Sequence, residues 1–184
     1  MTSVSSMTEQ NLKNAFSGES QAHMRYLIFS DIAQQEKFPE IARLFRAIAY
    51  AEQVHSTNHF RILSYLKGGF ITIGMAGFGP GDTVKNLDIA IEGETFEINE
   101  MYPVYLETAK FQKENEAARS FEWAYDTEKV HAGMFLKARQ AVGRGQDLEI
   151  KKIQICEVCG YTIEGDAPDR CPLCKATKDK FKSF

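Results

Sequence analysis

Between Thr8 and about Lys67, apolar side chains recur every three or four residues in two runs. Leu12, Ala15, Ala22, Tyr26, Phe29 and Ala33 form the first; Ile41, Phe45, Ile48, Ile62 and Leu66 form the second. That spacing predicts two amphipathic helices, each with one face turned to a core. Glu19 falls within the first stripe, and Glu52 and His55 within the second. The break near Phe38-Pro39 suits a proline in a first helical turn, and so short a connection makes the two helices antiparallel neighbours. The pattern returns from Thr83 to about Glu114, with Leu87, Ile91, Glu94, Ile98, Met101 and Tyr105 on one stripe. It returns again from about Ala117 to Val142, where Ala117, Phe121, Ala124, Glu128, His131, Phe135 and Ala138 face inward. Pro103 lacks an amide donor and predicts a bend or interruption in the third helix, while Gly143 and Gly145 close the fourth.

The two halves resemble one another. Residues 40–55 and 116–131 align at a constant offset of 76 with 7 of 16 positions identical, and Glu19 lies opposite Glu94 at an offset of 75. Two related helix pairs need one long connection, and residues 68–81, with six glycines and no charge, supply it. The phenylalanines, isoleucines and methionine of this crossover are expected to lie against the bundle or a second subunit.

Composition narrows the function. The chain has 184 residues, 43% hydrophobic and 26% charged, with a formal charge of -3. It suits one ordinary domain plus a small appendage, and nothing in it points to nucleic acid or an anionic membrane. No apolar run approaches the roughly 18 residues of a membrane span, and the start MTSVSSMTEQ lacks the regions of a signal peptide, so a cytoplasmic location is expected.

The inward stripes carry the chemistry. Glu52-x-x-His55 and Glu128-x-x-His131 each set a carboxylate and an imidazole on one helix face. An unpaired carboxylate there carries a large desolvation cost, which a bound cation removes. Glu19 and Glu94 add one inward carboxylate from each remaining helix, and Glu97, opposite Ala22 in the repeat, adds one without a counterpart. A single ExxH occurs by chance in many helices. Two copies at matching repeat positions, with matching glutamates on the partner helices, form the carboxylate di-metal pattern of bundles. Five carboxylates are left at -3 by one divalent ion and at -1 by two. The donors suit iron or manganese, and zinc could also bind. Tyr26 and Tyr102, on corresponding faces about two turns from Glu19 and Glu94, are candidate hydrogen-bond donors to these carboxylates. Asp126, His23, His59 and Trp123 are left outside the site.

All four cysteines lie near the end of the chain. Cys156-x2-Cys159 and Cys171-x2-Cys174, eleven residues apart, have the spacing of a four-thiolate tetrahedral site for iron or zinc. Gly160 and Pro172 follow the second and third cysteines and can shape the turns. So few residues surround the cluster that the metal must help hold this segment together. We place the bundle at 1–148 and the four-cysteine unit at 149–184.

In order, spacing and the extra Glu97, the sequence resembles the rubrerythrin family over almost its whole length. The resemblance implies an all-α, ferritin-like four-helix bundle with one long crossover and a small rubredoxin-like, metal-bound C-terminal domain. It implies Glu19, Glu52, Glu94, Glu97, Glu128, His55 and His131 as ligands of two iron ions, with Glu52 and Glu128 bridging. It further implies that Glu97 and His55 exchange on one iron, and we take these two as the catalytic pair. Cys156, Cys159, Cys171 and Cys174 would hold one iron, or zinc in preparations. The implied activity is reduction of hydrogen peroxide to water, with electrons from NAD(P)H passed through a reductase or rubredoxin. The alternative is redox sensing or electron transfer without peroxide turnover. A homodimer is expected, with domain swapping open. The fourth helix carries the chain about 21 Å beyond Glu128, and we therefore expect the tail of one subunit to face the metal pair of the other.

Overall fold

The computed structural model describes residues 3–184. Helix α1 (Ser6–Gln35) and helix α2 (Pro39–Ile62) make one antiparallel hairpin. Helix α3 (Thr83–Phe96), a π-helical turn (Glu97–Met101) and helix α4 (Tyr102–Phe111) form one run, and α5 (Asn115–Val142) returns beside it. Both hairpins turn through a lysine in the left-handed region, Lys37 at φ 68° and Lys113 at φ 62°. The duplicated sequence therefore builds duplicated turns as well as helices, and the product is a ferritin-like four-helix bundle.

Two apolar layers flank a polar middle. Phe29, Ile41, Phe45, Ile48, Leu87 and Phe135 pack at one end; Leu12, Met101, Leu106, Ala117 and Phe121 pack at the other. The glutamates and histidines of the inward stripes lie between them, so packing at both ends holds the helices even though the centre is charged.

Pro103 interrupts the third stripe as expected, but the break precedes it. A proline has no amide for the carbonyl four residues back, and its ring crowds that carbonyl. The chain widens into a π turn, in which Tyr102 N–H donates to Glu97 O, and α4 starts with Pro103 in its first turn. The extra residue rotates the buried face, which continues through Met101, Tyr102, Leu106 and Ala109. Ile98 and Tyr105, expected inside, are half-buried.

The crossover runs without regular structure from 66 to 81. Its side chains do not take the first of the two expected places: Ile71, Ile73, Met75 and Phe78 face outward, Phe78 at 90% exposure, and within the chain they are not buried against the bundle. The glycines explain this. A Cβ on Gly74 would lie 2.8 Å from Gln21 Nε2 and one on Gly77 2.6 Å from Ile89 Cγ2. Here it is the bare backbone that presses on α1 and α3, and the side chains are left outside.

The tail corrects an expectation. Beyond α5 it reverses and runs back along α2. Asp147 accepts from the amides of Glu40 (2.9 Å) and Ile41 (3.2 Å) at the start of that helix. Arg43 then donates to the carbonyls of Ile150, Lys151 and Phe184. Strand β1 (Ile153–Cys156) buries Ile153 and Ile155 in the first apolar layer. It is the middle of a three-stranded antiparallel sheet, flanked by β2 (Thr162–Glu164) and β3 (Phe181–Ser183). The run of about 21 Å along α5 is only the outward leg, and the return along α2 brings the tail to its own bundle's centre. Asp147→Ala removes a cap whose charge also suits a helix N-terminus, and is expected to cost about 1 kcal/mol. Thermal unfolding followed by circular dichroism should show the lowered midpoint.

Candidate metal centres

At the polar middle of the bundle, two four-residue groups could each hold an ion. Glu19, Glu52, His55 and Glu128 form one, and Glu52, Glu94, Glu128 and His131 the other, the potential ligand atoms of each lying within 4.8 Å of one another. Glu52 and Glu128 belong to both. His55 Nδ1 stands 3.0 Å from Glu52 Oε2 and 2.9 Å from Glu128 Oε1. His131 Nδ1 stands 3.1 Å from Glu52 Oε1 and 2.6 Å from Glu128 Oε2. Each imidazole thus faces both shared carboxylates, as expected when Glu-x-x-His sits at matching heights on facing helices.

The two unshared glutamates are each held by a tyrosine. Tyr26 Oη donates to Glu94 Oε1 at 2.6 Å, and Tyr102 Oη donates to Glu19 Oε1. Glu97 is half-buried and belongs to neither group. It lines a cavity of about 420 Å³ beneath the crossover, with Arg25, Gly93 and Tyr105.

The electrostatics call for cations. Burial, then the neighbouring carboxylates, push Glu19, Glu94 and Glu97 well above the ordinary carboxylate range. Burial acts the same way on Glu128, but the imidazoles of His55 and His131 outweigh it and hold that carboxyl low. Burial opposes charge on His55, yet Glu128 and Glu52 lift it to about 10. Glu19 Oε2 and Glu94 Oε2 are buried without hydrogen-bond partners among the described residues, while Glu52 Oε1 and Glu128 Oε1 face only the imidazoles of His131 and His55. Buried carboxylate oxygens that meet no donor, or only an imidazole that is itself a candidate ligand, are the donor set a pair of divalent ions would complete. The residues fit the di-metal expectation, and metal uptake must displace protons.

The cysteines make the second centre. Cys156 Sγ lies 3.5 Å from Cys174 Sγ, and Cys159 Sγ 3.5 Å from Cys171 Sγ. A tetrahedral thiolate site with arms of about 2.3 Å has edges of about 3.8 Å, close to these separations. The two knuckles fold alike: Gly160 N–H donates to Cys156 O and Lys175 N–H to Cys171 O. Hydrogen bonding from Cys159 lowers the Cys156 thiol to about 5. Trp123 of α5 packs on the cysteines.

The first knuckle reaches the bundle's ligands. Thr162 Oγ1 donates to Gly160 O and therefore accepts from His131 Nε2, 2.9 Å away, which leaves Nδ1 free to bind. The Cα of Gly160 lies against the His55 ring, so that an added Cβ would overlap Nε2 and Cδ2. Asn58 donates to Val158 O at 2.8 Å and Tyr50 to Glu157 at 3.0 Å, seating the knuckle on α2. Sequence reasoning missed Gly160 and Thr162 as contacts to the histidines, because it expected the tail elsewhere. It also set aside His59, which proves to bond Tyr102 (3.1 Å) and Ser120 (2.9 Å). Its position four residues after His55 on the same face was the available signal. His23 bonds Ala49 O at 2.7 Å and Asp126 pairs with Lys129 at 2.8 Å, both away from the centre.

Comparison with known proteins agrees with this arrangement. Residues 10–139 match the rubrerythrin family, and residues 154–182 match the rubrerythrin rubredoxin-like domain. Rubrerythrin-2 of Clostridium acetobutylicum is 44% identical over 184 residues, covering all of both chains. Nigerythrin of Nitratidesulfovibrio vulgaris is 32% identical over 96% of this chain and 86% of its own. The fully reduced, all-ferrous structure of nigerythrin superposes with a TM-score of 0.84 at 32% identity, covering 100% of this chain and 89% of that one. With both metal-binding clusters formed in the regions these matches span, the chain belongs to the rubrerythrin family, a ferritin-like di-iron domain fused to a rubredoxin-like domain.

Proposed function

We propose that this protein is a cytoplasmic peroxidase that reduces hydrogen peroxide to water, with two iron ions in the bundle and one in the four-cysteine centre. The observation that carries the reading is the seating of the cysteine knuckle on both histidines, through Gly160 at His55 and Thr162 at His131. An electron donor built against the metal pair has a use only if that pair turns over. Iron held there would supply the two electrons that H2O2 needs, along with two protons, to become two waters. Glu52 and Glu128 would hold both ions and Glu19 and Glu94 one each, with Tyr26 and Tyr102 orienting the last two carboxylates. The cavity above Glu97 gives a small oxidant a route beneath the crossover. The outward apolar row of the crossover supports a homodimer as the working form. Rubredoxin, or an NAD(P)H-dependent rubredoxin reductase, is the external donor in this reading.

Anaerobic NAD(P)H consumption with a rubredoxin reductase and added peroxide tests it. Repeated turnover is expected. A single oxidation of the bundle without sustained consumption would favour redox sensing or electron transfer instead.

Glu97 is proposed as the carboxylate that replaces His55 on the ion at Glu19 when that ion is oxidised, since added negative charge offsets added positive charge. Glu97→Ala is expected to keep its metal when reduced and to lose it more readily when oxidised, whereas His55→Ala weakens the reduced form. Metal analysis and paired structures of the two oxidation states would check this; retention of one ligand in both states sinks it.

A further inference from the structure

The two halves of the bundle support their tyrosines differently. Tyr26, which donates to Glu94, has its ring edge-on to Phe135 at 5.2 Å, and among the described residues that donation is the phenol's only hydrogen bond. Tyr102, which donates to Glu19, meets His59 instead, at the position 76 residues before Phe135. His59 Nε2 lies 3.1 Å from Tyr102 Oη, and His59 Nδ1 lies 2.9 Å from Ser120 Oγ. Glu19, Tyr102 and His59 are fully buried; Ser120, nearly so, lines a surface cavity of about 240 Å³ with Asn58, Arg61 and Glu116.

The donors in this chain run one way. A phenol has one proton, and beside a metal-bound, ionised Glu19 it belongs to the carboxylate bond. The Tyr102 oxygen can then only accept from His59, so Nε2 carries hydrogen. Burial keeps the imidazole neutral, with its pKa pushed down to about 3. A neutral ring protonated at Nε2 is bare at Nδ1, which accepts from Ser120.

We propose that His59, held by Ser120, is a positioning residue that makes Tyr102 a fixed and strengthened donor to Glu19, and so sets the Glu19 metal position electronically apart from the Glu94 position. A hydroxyl whose oxygen accepts a hydrogen bond is a better donor. Stronger donation draws charge off the carboxylate, which then stabilises a higher metal charge less. The metal at Glu19 is therefore easier to reduce than it would be with an apolar residue at 59. Pinning Oε1 also leaves Oε2, buried and unpartnered, as the oxygen that would meet an ion. The redox consequence rests on the iron reading above; the direction of the chain does not.

The test is His59→Phe, which copies the other half, alongside Ser120→Ala and Ser120→Thr. In redox titrations of the iron-loaded protein, His59→Phe is expected to shift one of the two bundle steps to lower potential. The expected size is about tenfold in its equilibrium constant, which is about 59 mV for one electron. The other step and the four-cysteine centre should stay in place. Ser120→Ala should move the same step the same way by less, and Ser120→Thr should restore it. These two variants decide the matter if His59→Phe does not fold. A second readout is nitrogen NMR of zinc-loaded protein labelled at histidine, where His59 should be the neutral Nε2–H tautomer. The proposal is overturned if neither step moves, if both move equally, or if His59 carries its proton on Nδ1. Absence of any redox-active bundle metal would defeat the iron reading, while the zinc form would still decide the direction of the chain.

Discussion

Glu52→Ala is expected to empty both metal positions of the bundle and leave the four-cysteine centre loaded, taking the protein from three metal ions per chain to one. Glu52 and Glu128 are common to both ligand groups, whereas Glu19 and Glu94 each serve one. Removing a shared carboxylate takes a ligand from each ion and also takes away negative charge that lies between two cations. At so short a separation in a buried site, that repulsion is poorly screened. Glu19→Ala should instead release one ion before the other. The helices should survive either change, because the apolar layers at both ends do not include these residues. Cys156→Ser should act in the opposite place, losing the tail's ion and loosening its small sheet while the bundle stays loaded. Metal analysis of the purified variants, with circular dichroism to confirm folding, separates these outcomes. Loss of both kinds of metal from a single folded variant would falsify the assignment of two independent centres.

Much of this arrangement can be read from the chain because its signals are local and repeated. A glutamate or histidine inside an apolar helical stripe must face the core, and duplication puts six such residues in three matching pairs. The cysteine knuckles are legible from spacing alone. The failures concern where segments go rather than what they are. Residues 68–81 are recognisable as a crossover, but which side of a glycine-rich strand touches the helices depends on close backbone approach, which leaves no periodic trace. The tail's return depends on Asp147 and Arg43 meeting partners about a hundred residues away. The π turn did leave a mark. Glu19 matches Glu94 at an offset of 75, while Tyr26 matches Tyr102 at 76, and the one added residue is taken up between Glu94 and Tyr102. His59 was hidden for a different reason: opposite Phe135 in the repeat, it looked like an unmatched core residue rather than a support for Tyr102.

Gly160→Ala should leave every metal ion bound and yet uncouple the two centres. Gly160 has φ +84°, a conformation that favours glycine, but the turn itself does not demand one. Lys175 follows the corresponding cysteine of the second knuckle with φ 66° and makes the matching amide bond to Cys171 O. What distinguishes residue 160 is its neighbour, since a methyl group there would occupy the space of the His55 ring. His55 is itself fixed between Glu52 and Glu128 and cannot easily turn aside. The knuckle must therefore lift, stretching Thr162 from His131 and Val158 from Asn58. Electron passage from the reduced four-cysteine centre to the oxidised bundle, followed by stopped-flow absorption, is expected to slow, because the lifted knuckle lengthens and loosens the path. Lys175→Ala, in the knuckle facing away from the histidines, should pass electrons at the normal rate. If Gly160→Ala does so too, with all metals in place, electrons enter the bundle by another route.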